Sequence, residues 1–217
     1  TGNIPAFTAL NNTGADIVAT ITVTPNFTDG NVTCQGSPRT FTITVFPALL
    51  ITPKPDVEIC EDAAFQLGVN LIQLGTPPYS YNWTGPSGFT STLAAPIIGP
   101  SVWNVHTGAY NVTVTDSKGC TGLATQDVIV NPSPSFIIQP QDMFVCEGNT
   151  GQASCLASVA NGSPLSYIFQ QQIGQSWNTL GTNTTGSFTV NNATPAMNGA
   201  VYRILAHADH NPMPDCE

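Results

Sequence analysis

Six cysteines are the residues of this 217-residue chain whose chemistry is easiest to define. Cysteine thiols can form disulfides, bind soft metals or act as nucleophiles, and their spacing helps to separate these uses. No two cysteines have the C-x-x-C spacing of a common zinc site. The cysteines are Cys34, Cys60, Cys120, Cys146, Cys155 and Cys216. Because Cys34 and Cys120 are 86 positions apart, and Cys60 and Cys146 are also 86 apart, we infer two classes of cysteine in a repeating unit.

A group of carboxylates could bind a hard cation. It consists of Asp56, Glu58, Glu61 and Asp62. Carboxylate oxygens are the ligands that Ca²⁺ prefers, and an ion at a junction between repeats would stiffen the array. The chain has no D-x-D-x-D-G loop, however, and ordinary surface acidity explains the same residues. We therefore expect no cofactor, with Ca²⁺ at these four residues as the alternative.

The other polar clusters do not form a catalytic motif. The stretch H-A-D-H brings His207, Asp209 and His210 together, but a strand end or turn explains it without a metal. Glu58, Glu61 and Asp62 form a cluster that could supply the paired carboxylates of a glycosidase, yet a solvated strand edge explains them better. No G-x-S-x-G motif of a serine hydrolase is present. We predict that the chain is not an enzyme.

Charged residues are sparse and mostly acidic. The chain has 4 Lys and Arg, 13 Asp and Glu, and a formal net charge of −9. We expect neither nucleic acids nor anionic membrane surfaces as partners, because both are bound through basic side chains. No apolar stretch reaches the roughly 18 residues of a membrane-spanning helix. The chain starts without Met or a signal peptide and stops at a cysteine motif, so we expect a segment of a longer or processed chain.

Apolar and polar residues alternate with a period of two along much of the chain. The alternation runs through residues 19–25, 40–47, 78–85 and 187–193. No segment has the i, i+3, i+4, i+7 apolar spacing of an amphipathic helix. Short half-buried strands separated by Gly, Pro and Asn turns predict an all-β fold. We expect tandem, immunoglobulin-like antiparallel β-sandwiches in an extended array.

The repeat of 86 residues divides the chain into units. The stretch T-F-T-I-T-V-F-P before residues 46–57 matches T-Q-D-V-I-V-N-P before residues 131–142, and V-E-I-C-E-D-A matches M-F-V-C-E-G-N. Both ranges are rich in proline, which removes backbone donors and stiffens the chain, so we predict short connectors there. The units are the C-terminal part of a sandwich at 1–47, a complete sandwich at 48–132 and a third at 133–217.

Four aromatic residues are predicted to fill the cores. They are Trp83 and Tyr110 in the second unit, and Phe169 and Tyr202 in the third. Phe169 stands where an immunoglobulin-type sandwich has a tryptophan, and Tyr202 has the spacing of a tyrosine corner. The position of the usual second core cysteine is then Ile204. We therefore expect Cys155 to be a buried free thiol.

These stretches resemble the PKD-like and immunoglobulin-like repeats of giant secreted surface proteins of Bacteroidota, including the SprB-type gliding-motility adhesins. Residues 1–47, and I-C-E-D-A-A-F-Q-L and T-G-A-Y-N-V-T-V-T-D-S-K-G-C-T-G in the second unit, are similar to PKD-like repeats. In the third unit, V-C-E-G-N-T and M-N-G-A-V-Y-R-I-L are similar to an immunoglobulin-like repeat. The resemblance implies a long repetitive protein at the bacterial cell surface, and it transfers no catalytic residues.

We therefore predict a non-catalytic, secreted segment that serves adhesion, gliding motility or matrix assembly. Its expected partners are the neighbouring repeats of the same chain. In one alternative, Trp103 and Trp177 stack on a surface polysaccharide, as in an accessory carbohydrate-binding module of a glycan-degrading enzyme. In the other, the open sheet of residues 1–47 pairs with identical chains in a filament assembled by β-strand addition.

Each complete unit has one cysteine before its first strands and one after its tyrosine-bearing strand. A sandwich brings these two ends close, so two disulfides are expected in an oxidising compartment. The predicted bridges are Cys60–Cys120 and Cys146–Cys216. Each closed loop would contribute about 4 kcal/mol on the chain-entropy model. Cys155 is the rival partner of Cys146, and otherwise Cys34 and Cys155 are expected to have no partner in this chain.

Overall fold

The computed structural model describes residues 6–73, 75–209 and 216, and nearly all of its regular structure is β. The all-β prediction is therefore confirmed. The helical elements of the described part are one single-turn helix, α1 (Trp103–His106), and two 3₁₀ turns (Pro86–Gly88 and Pro195–Met197). Its strands are β1 (Ile17–Val23), β2 (Asn26–Asp29), β3 (Val32–Gln35), β4 (Arg39–Val45), β5 (Leu50–Pro53), β6 (Val57–Cys60), β7 (Phe65–Gln66), β8 (Val69–Gln73), β9 (Ser80–Thr84), β10 (Thr90–Ser91), β11 (Ile97–Ile98), β12 (Gly108–Thr115), β13 (Thr121–Asn131), β14 (Ser135–Ile138), β15 (Gly151–Ser154), β16 (Leu156–Ser158), β17 (Leu165–Ile173), β18 (Ser176–Asn183), β19 (Ser187–Val190) and β20 (Tyr202–Ala208).

The chain forms two compact units, each built from separate stretches of sequence. Unit 1 comprises Thr1–Pro55, Leu67–Pro96 and Tyr110–Gln126, and unit 2 comprises Asp56–Gln66, Ile97–Ala109 and Asp127–Glu217. This division does not follow the three consecutive ranges 1–47, 48–132 and 133–217. The boundaries of those three modules therefore stay a prediction.

The second sequence repeat contains a five-stranded sheet with the order β10-β9-β12-β13-β6. β9 and β12 pair in antiparallel register, with Val112 opposite Trp83. β6 runs parallel to the last residues of β13, which places Cys60 opposite Asn131. β12 carries its buried side chains at alternate positions, as a strand with one face on a core requires.

The first predicted connector, residues 46–57, contains β5, which pairs with β8 in antiparallel register. The buried side chain of Gln126 in β13 ties this region together in unit 1. Its Oε1 accepts the N–H of Gly68 at 3.1 Å, and its Nε2 donates to the carbonyl oxygen of Pro55 at 2.7 Å. The prediction of a plain connector at 46–57 is therefore wrong.

The second predicted connector, residues 131–142, is also partly a strand, because β14 pairs with β16. Proline is compatible with a strand at its ends and at the edges of a sheet, where a missing N–H breaks no ladder bond. Pro53 ends β5, and the prolines at 134 and 140 flank β14. Proline content alone therefore does not separate a connector from a short edge strand.

The C-terminal part of unit 2 is a sandwich. On one side is the sheet β18-β17-β20, and on the other are the pairs β14-β16 and β15-β19. Their side chains share one core of Cys155, Ala157, Tyr167, Phe169 and Ala206, with Phe136, Leu165, Phe188 and Ile204 packed against it. The Tyr167 hydroxyl oxygen accepts the N–H of Ala157 at 3.0 Å, so this polar group is satisfied inside the core.

β1 and β4 form a two-stranded antiparallel ribbon in unit 1. One face of the ribbon is mainly apolar and carries Ile17, Ala19, Ile21, Val23, Phe41, Ile43 and Val45, with Arg39 opposite Val23 at its end. The stretch I-T-V-T in this ribbon matches V-T-V-T in β12, which makes Val23 the counterpart of Val114. Val23 is 47% exposed, whereas Val114 is fully buried. The same sequence pattern is therefore covered in the second repeat and uncovered in the first.

Candidate functional site at the Cys60 junction

Cys60 forms a disulfide with Cys216, across 156 positions of sequence and with 5.5 Å between the Cα atoms. The predicted bridges Cys60–Cys120 and Cys146–Cys216 are therefore wrong, and Cys120 and Cys146 are free cysteines. The bond joins the first cysteine of the second repeat to the last cysteine of the third. It closes one large loop that spans two repeats instead of one loop within each repeat.

The direction of β6 explains why Cys60 and Cys120 do not meet. Cys60 pairs with Asn131, the last residue of β13, because the two strands are parallel. Cys120 directly precedes Thr121, the first residue of β13. Eleven residues of extended strand span about 36 Å, whereas the Cα atoms of bonded cysteines are at most about 7 Å apart. The prediction of a fully antiparallel sandwich did not include this parallel pair.

Glu61, next to the disulfide, binds two backbone segments through one carboxylate. Its Oε1 accepts the N–H of Trp103 at 2.9 Å, and its Oε2 accepts the N–H of Ser133 at 3.2 Å. Its own N–H donates to the carbonyl oxygen of Asn131 at 2.9 Å. Hydrogen bonds to a charged acceptor are stronger than neutral ones, so Glu61 holds these segments together at this point.

Ser101 fixes the turn that follows Cys60. Its side chain is 1% exposed, and its Oγ–H donates to the carbonyl oxygen of Cys60 at 3.3 Å. Its N–H donates to the carbonyl of Ala63 at 3.0 Å, and its carbonyl accepts the N–H of Asp62 at 2.9 Å. Asp62 has a φ of 67°, in the left-handed region that Asp tolerates better than most residues. We call the group of Cys60, Glu61, Ser101, Asn131 and Cys216 the junction.

The other two predicted calcium ligands also contact the chain itself. Oε1 of Glu58 accepts a hydrogen bond from Nδ2 of Asn131 at 2.9 Å, and Oδ1 of Asp56 accepts the N–H of Asp127 at 3.0 Å. Among the described residues, no group of three or more His, Cys, Asp or Glu side chains is arranged to hold a metal ion. Calcium binding at these carboxylates stays a prediction.

Sequence reasoning missed two members of the junction, Ser101 and Asn131. Both are buried polar residues, 1% and 6% exposed. Neither belongs to a motif, because their partners are backbone groups and side chains distant in sequence. The sequence feature that could have identified Asn131 is its position at the end of an apolar strand, directly before Pro132.

The remaining cysteines differ in exposure and reactivity. Cys34 and Cys146 are exposed. Cys155 is 6% exposed, its Sγ–H donates to the carbonyl oxygen of Gly186 at 3.5 Å, and burial raises the pKa of its thiol. The pKa of the Cys120 thiol is raised by its burial and by two nearby carboxylates. Because the thiolate is the reactive form, the raised pKa makes Cys120 and Cys155 less reactive at neutral pH.

Asp116 organises the turn between β12 and β13 in unit 1. Its Oδ1 accepts the N–H groups of Lys118 and Cys120 at 2.9 and 2.8 Å, and its Oδ2 accepts that of Thr76 at 2.8 Å. Desolvation raises the pKa of this carboxyl, but the backbone hydrogen bonds from Thr76, Cys120, Lys118 and Gly119 outweigh it and lower the pKa below its ordinary value. The ionised form is therefore the one that the fold stabilises.

The aromatic residues predicted for the cores are mostly buried. Trp83 and Tyr110 are fully buried, and Phe169 is 3% exposed. Nε1–H of Trp83 donates to the carbonyl oxygen of Leu93 at 3.0 Å, which satisfies the indole inside the core. Burial raises the pKa of Tyr110. Tyr202 is half-buried, with its ring 6.1 Å from that of Phe188.

The residues considered for sugar stacking or metal binding have other contacts. Trp103 is half-buried at the start of α1. The guanidinium of Arg203 lies 4.4 Å from the ring centroid of Trp177, a cation–π contact that occupies this ring. In the H-A-D-H stretch, Oδ1 of Asp209 accepts the Ser166 hydroxyl at 3.3 Å, and His210 lies outside the described residues.

No helix in the part of the chain that the structure describes is long and apolar enough to cross a membrane.

Comparisons with known proteins find similarity at the level of solved structures. No family model and no curated protein matches the chain. Murine CEACAM1b is 14% identical, over 77% of this chain and 94% of that one, with a TM-score of 0.38. The N-terminal eight immunoglobulin domains of Down Syndrome Cell Adhesion Molecule are 10% identical, over 92% of this chain and 36% of that one, with a TM-score of 0.48. Because both scores are below 0.5, we base no functional conclusion on this likeness.

Proposed function

We propose that the chain is a non-catalytic, extracellular structural or adhesive segment of a large repetitive surface protein. The observation that carries the proposal is the Cys60–Cys216 disulfide, which joins cysteines 156 positions apart. Structural disulfides persist in oxidising compartments outside the cytoplasm, and they are rare within it. The sparse charge of the chain, with only 4 Lys and Arg, argues against a nucleic-acid partner.

The junction supports a mechanical role. The disulfide ties the second repeat to the third, and Glu61 adds hydrogen bonds to backbone segments at residues 103 and 133. A covalent bond between repeats limits how far the residues between its two cysteines can be extended when the chain is pulled. This property is useful in a segment that projects, spaces or anchors other parts of a surface protein.

The sequence resemblance supports a finer proposal. The repeats are similar to those of giant secreted surface adhesins of Bacteroidota, so we propose the bacterial cell surface as the location, with adhesion, gliding motility or matrix assembly as the role. The neighbouring repeats of the same chain are the proposed partners. Of the two alternatives, polysaccharide binding is weakened by the Arg203 contact on Trp177. Strand addition between identical chains is the other alternative.

Labelling of intact cells tests the proposed function. An antibody raised against the folded 217-residue chain should label source cells that have not been permeabilised, and external protease should remove the label. An antibody against a cytoplasmic protein of the same cells is the control, and it should label only permeabilised cells. Labelling by both antibodies only after permeabilisation would contradict the proposal.

A further inference from the structure

β6 and the last four residues of β13 pair in parallel register. β6 lies near the start of the second repeat, and β13 ends that repeat at Asn131. When the two ends of the repeat are pulled apart, the parallel strands are pulled in opposite directions along their axes. The hydrogen bonds between the strands are then loaded together, in shear, instead of one after another. We call the paired residues Val57–Cys60 and Val128–Asn131 the shear pair.

Three carboxylates from the β6 side of the shear pair add hydrogen bonds to the β13 side. Hydrogen bonds to a charged acceptor are stronger than neutral ones, so these contacts reinforce the ladder between the strands. They are distributed along the whole shear pair, from the residue before β6 to the residue after it. The N–H of Asp127 donates to Asp56 at 3.0 Å, Nδ2 of Asn131 donates to Glu58 at 2.9 Å, and the N–H of Ser133 donates to Glu61 at 3.2 Å.

The disulfide begins at the end of β6. Cys60 is the last residue of this strand, and it is bonded to Cys216. A force that reaches Cys60 through β6 therefore passes directly to Cys216 through the S–S bond. β13 and the rest of the chain between the two cysteines lie outside this path. While the disulfide is intact, the shear pair bears no load.

We propose that the Cys60–Cys216 disulfide is a redox switch that determines which part of the chain bears a pulling force. With the bond closed, the force bypasses the residues between the two cysteines. With the bond opened by a thiol reductant, the force passes through the shear pair, which resists it until β6 and β13 separate. The inference rests on the proposed structural function, and it adds a means of regulation to it.

The switch is opened by thiol–disulfide exchange with a dithiol. One thiolate of the dithiol attacks a sulfur of the bond, and the other protein sulfur leaves as a thiolate with the electron pair of the broken S–S bond. The second thiol of the reductant then displaces the remaining protein sulfur. The reductant ends as a disulfide after losing two electrons and two protons, and Cys60 and Cys216 end as thiols.

Optical tweezers at constant force test the switch on the full chain, held by handles at its two ends. Without reductant, we expect the chain to extend by at most about 210 Å, the length of residues 1–60 when fully extended. Dithiothreitol should add about 550 Å, the length of the chain between Cys60 and Cys216. The Cys216→Ser chain should show the long extension without reductant. Cys146→Ser is the matched control, because it removes a free cysteine, and it should extend as the native chain does.

Two results would overturn the switch. One is an extension of the native chain well beyond about 210 Å in the absence of reductant. The other is the same extension in the native and Cys216→Ser chains. Labelling of intact cells does not depend on either measurement, so the proposed function and the switch can fail separately.

The unfolding rate of the Cys216→Ser chain at constant force tests the shear pair. Opening of the second repeat is identified by a step of about 260 Å, the length of residues 57–131. In this chain, Glu61→Gln should make the step about tenfold faster, because it places an amide N–H₂ group against a backbone donor. Asp116→Asn should make it less than about twofold faster. Asp116 holds the turn between β12 and β13, and its contacts remain formed while β6 separates.

This pair of variants separates resistance to shear from overall stability, because both substitutions remove a carboxylate that stabilises the fold. Equal acceleration by Glu61→Gln and Asp116→Asn would show that the rate follows overall stability, which would contradict the role of the shear pair. An unchanged rate in Glu61→Gln would contradict it as well.

Discussion

Glu61 accepts backbone N–H groups from Trp103 and Ser133 with its two carboxylate oxygens. An ionised carboxylate presents acceptors alone, which suits a position where two donors converge. Glu58 contributes one such bond, to Nδ2 of Asn131. At the scale of single residues, these acidic side chains therefore stabilise the fold. The number of hydrogen-bond partners that each carboxylate has determines how much it contributes to stability.

Replacement of Glu61→Gln should destabilise the chain by about 2 kcal/mol, because the amide places an N–H₂ group against one of the two N–H donors. The matched control is Glu58→Gln, which keeps a carbonyl oxygen for its single partner and should cost less than about 1 kcal/mol. Denaturant unfolding at pH 7 measures both. Equal losses in the two variants would show that the double contact of Glu61 contributes nothing beyond a single bond.

The lowered pKa of Asp116 predicts that the contribution of this residue to folding stability depends on pH. Its folded-state pKa is lowered, so its contribution to stability is present above its ordinary pKa of about 4 and is lost as pH falls through the lower folded value. The difference in unfolding free energy between the native chain and Asp116→Asn should be largest near neutral pH and should shrink below about pH 4. The exposed Asp29→Asn is the control. A difference that is independent of pH would refute this role of the carboxylate.

At the scale of elements, one sequence pattern occurs in two environments. β12 belongs to a five-stranded sheet and buries Val114, whereas β1 has β4 as its sheet neighbour and leaves Val23 47% exposed. Period-two alternation predicts which residues form a strand and which of them share its apolar face, but it does not determine what covers that face. The exposure of Val23 on the ribbon is a consequence of this difference.

Alanine substitutions of Val114 in β12 and of Val23 in β1 test whether the two strands differ in how well their apolar faces are covered. Val114→Ala should destabilise the chain by about 2 kcal/mol, since it removes two methyl groups from a closed core. Val23→Ala, at the equivalent position of the ribbon, should cost less than about 0.5 kcal/mol. Calorimetry of the two variants measures both effects. If Val23→Ala costs as much as Val114→Ala, the ribbon face is covered in solution.

Local patterns could be predicted from the sequence, and distant pairings could not. The alternation at residues 78–85 and 187–193 identified β9 and β19, because strand formation follows from side-chain spacing. The parallel course of β6 beside β13 depends on long-range topology, so the partner of Cys60 was missed. Ser101 was missed for the same reason, since its partners are backbone groups from another part of the chain.

At the scale of the whole molecule, the central claim is that a covalent bond and a carboxylate fasten one repeat to the next. The junction lies within unit 2 and contains residues from both the second and the third repeat. A disulfide that spans a long loop removes more entropy from the unfolded chain than one that spans a short loop, although the dependence is weak. Its main consequence here is mechanical, because it limits how far the residues between Cys60 and Cys216 can be extended when the chain is pulled.

Disulfide mapping of the unreduced chain tests this claim most directly. The chain is digested at acidic pH, which suppresses thiol exchange, and the linked peptides are identified by mass spectrometry before and after reduction. We predict one linked pair that contains Cys60 and Cys216, with Cys120 and Cys146 recovered as free thiols. A bond between Cys60 and Cys120, or between Cys146 and Cys216, would contradict the account, because each repeat would then be closed on itself.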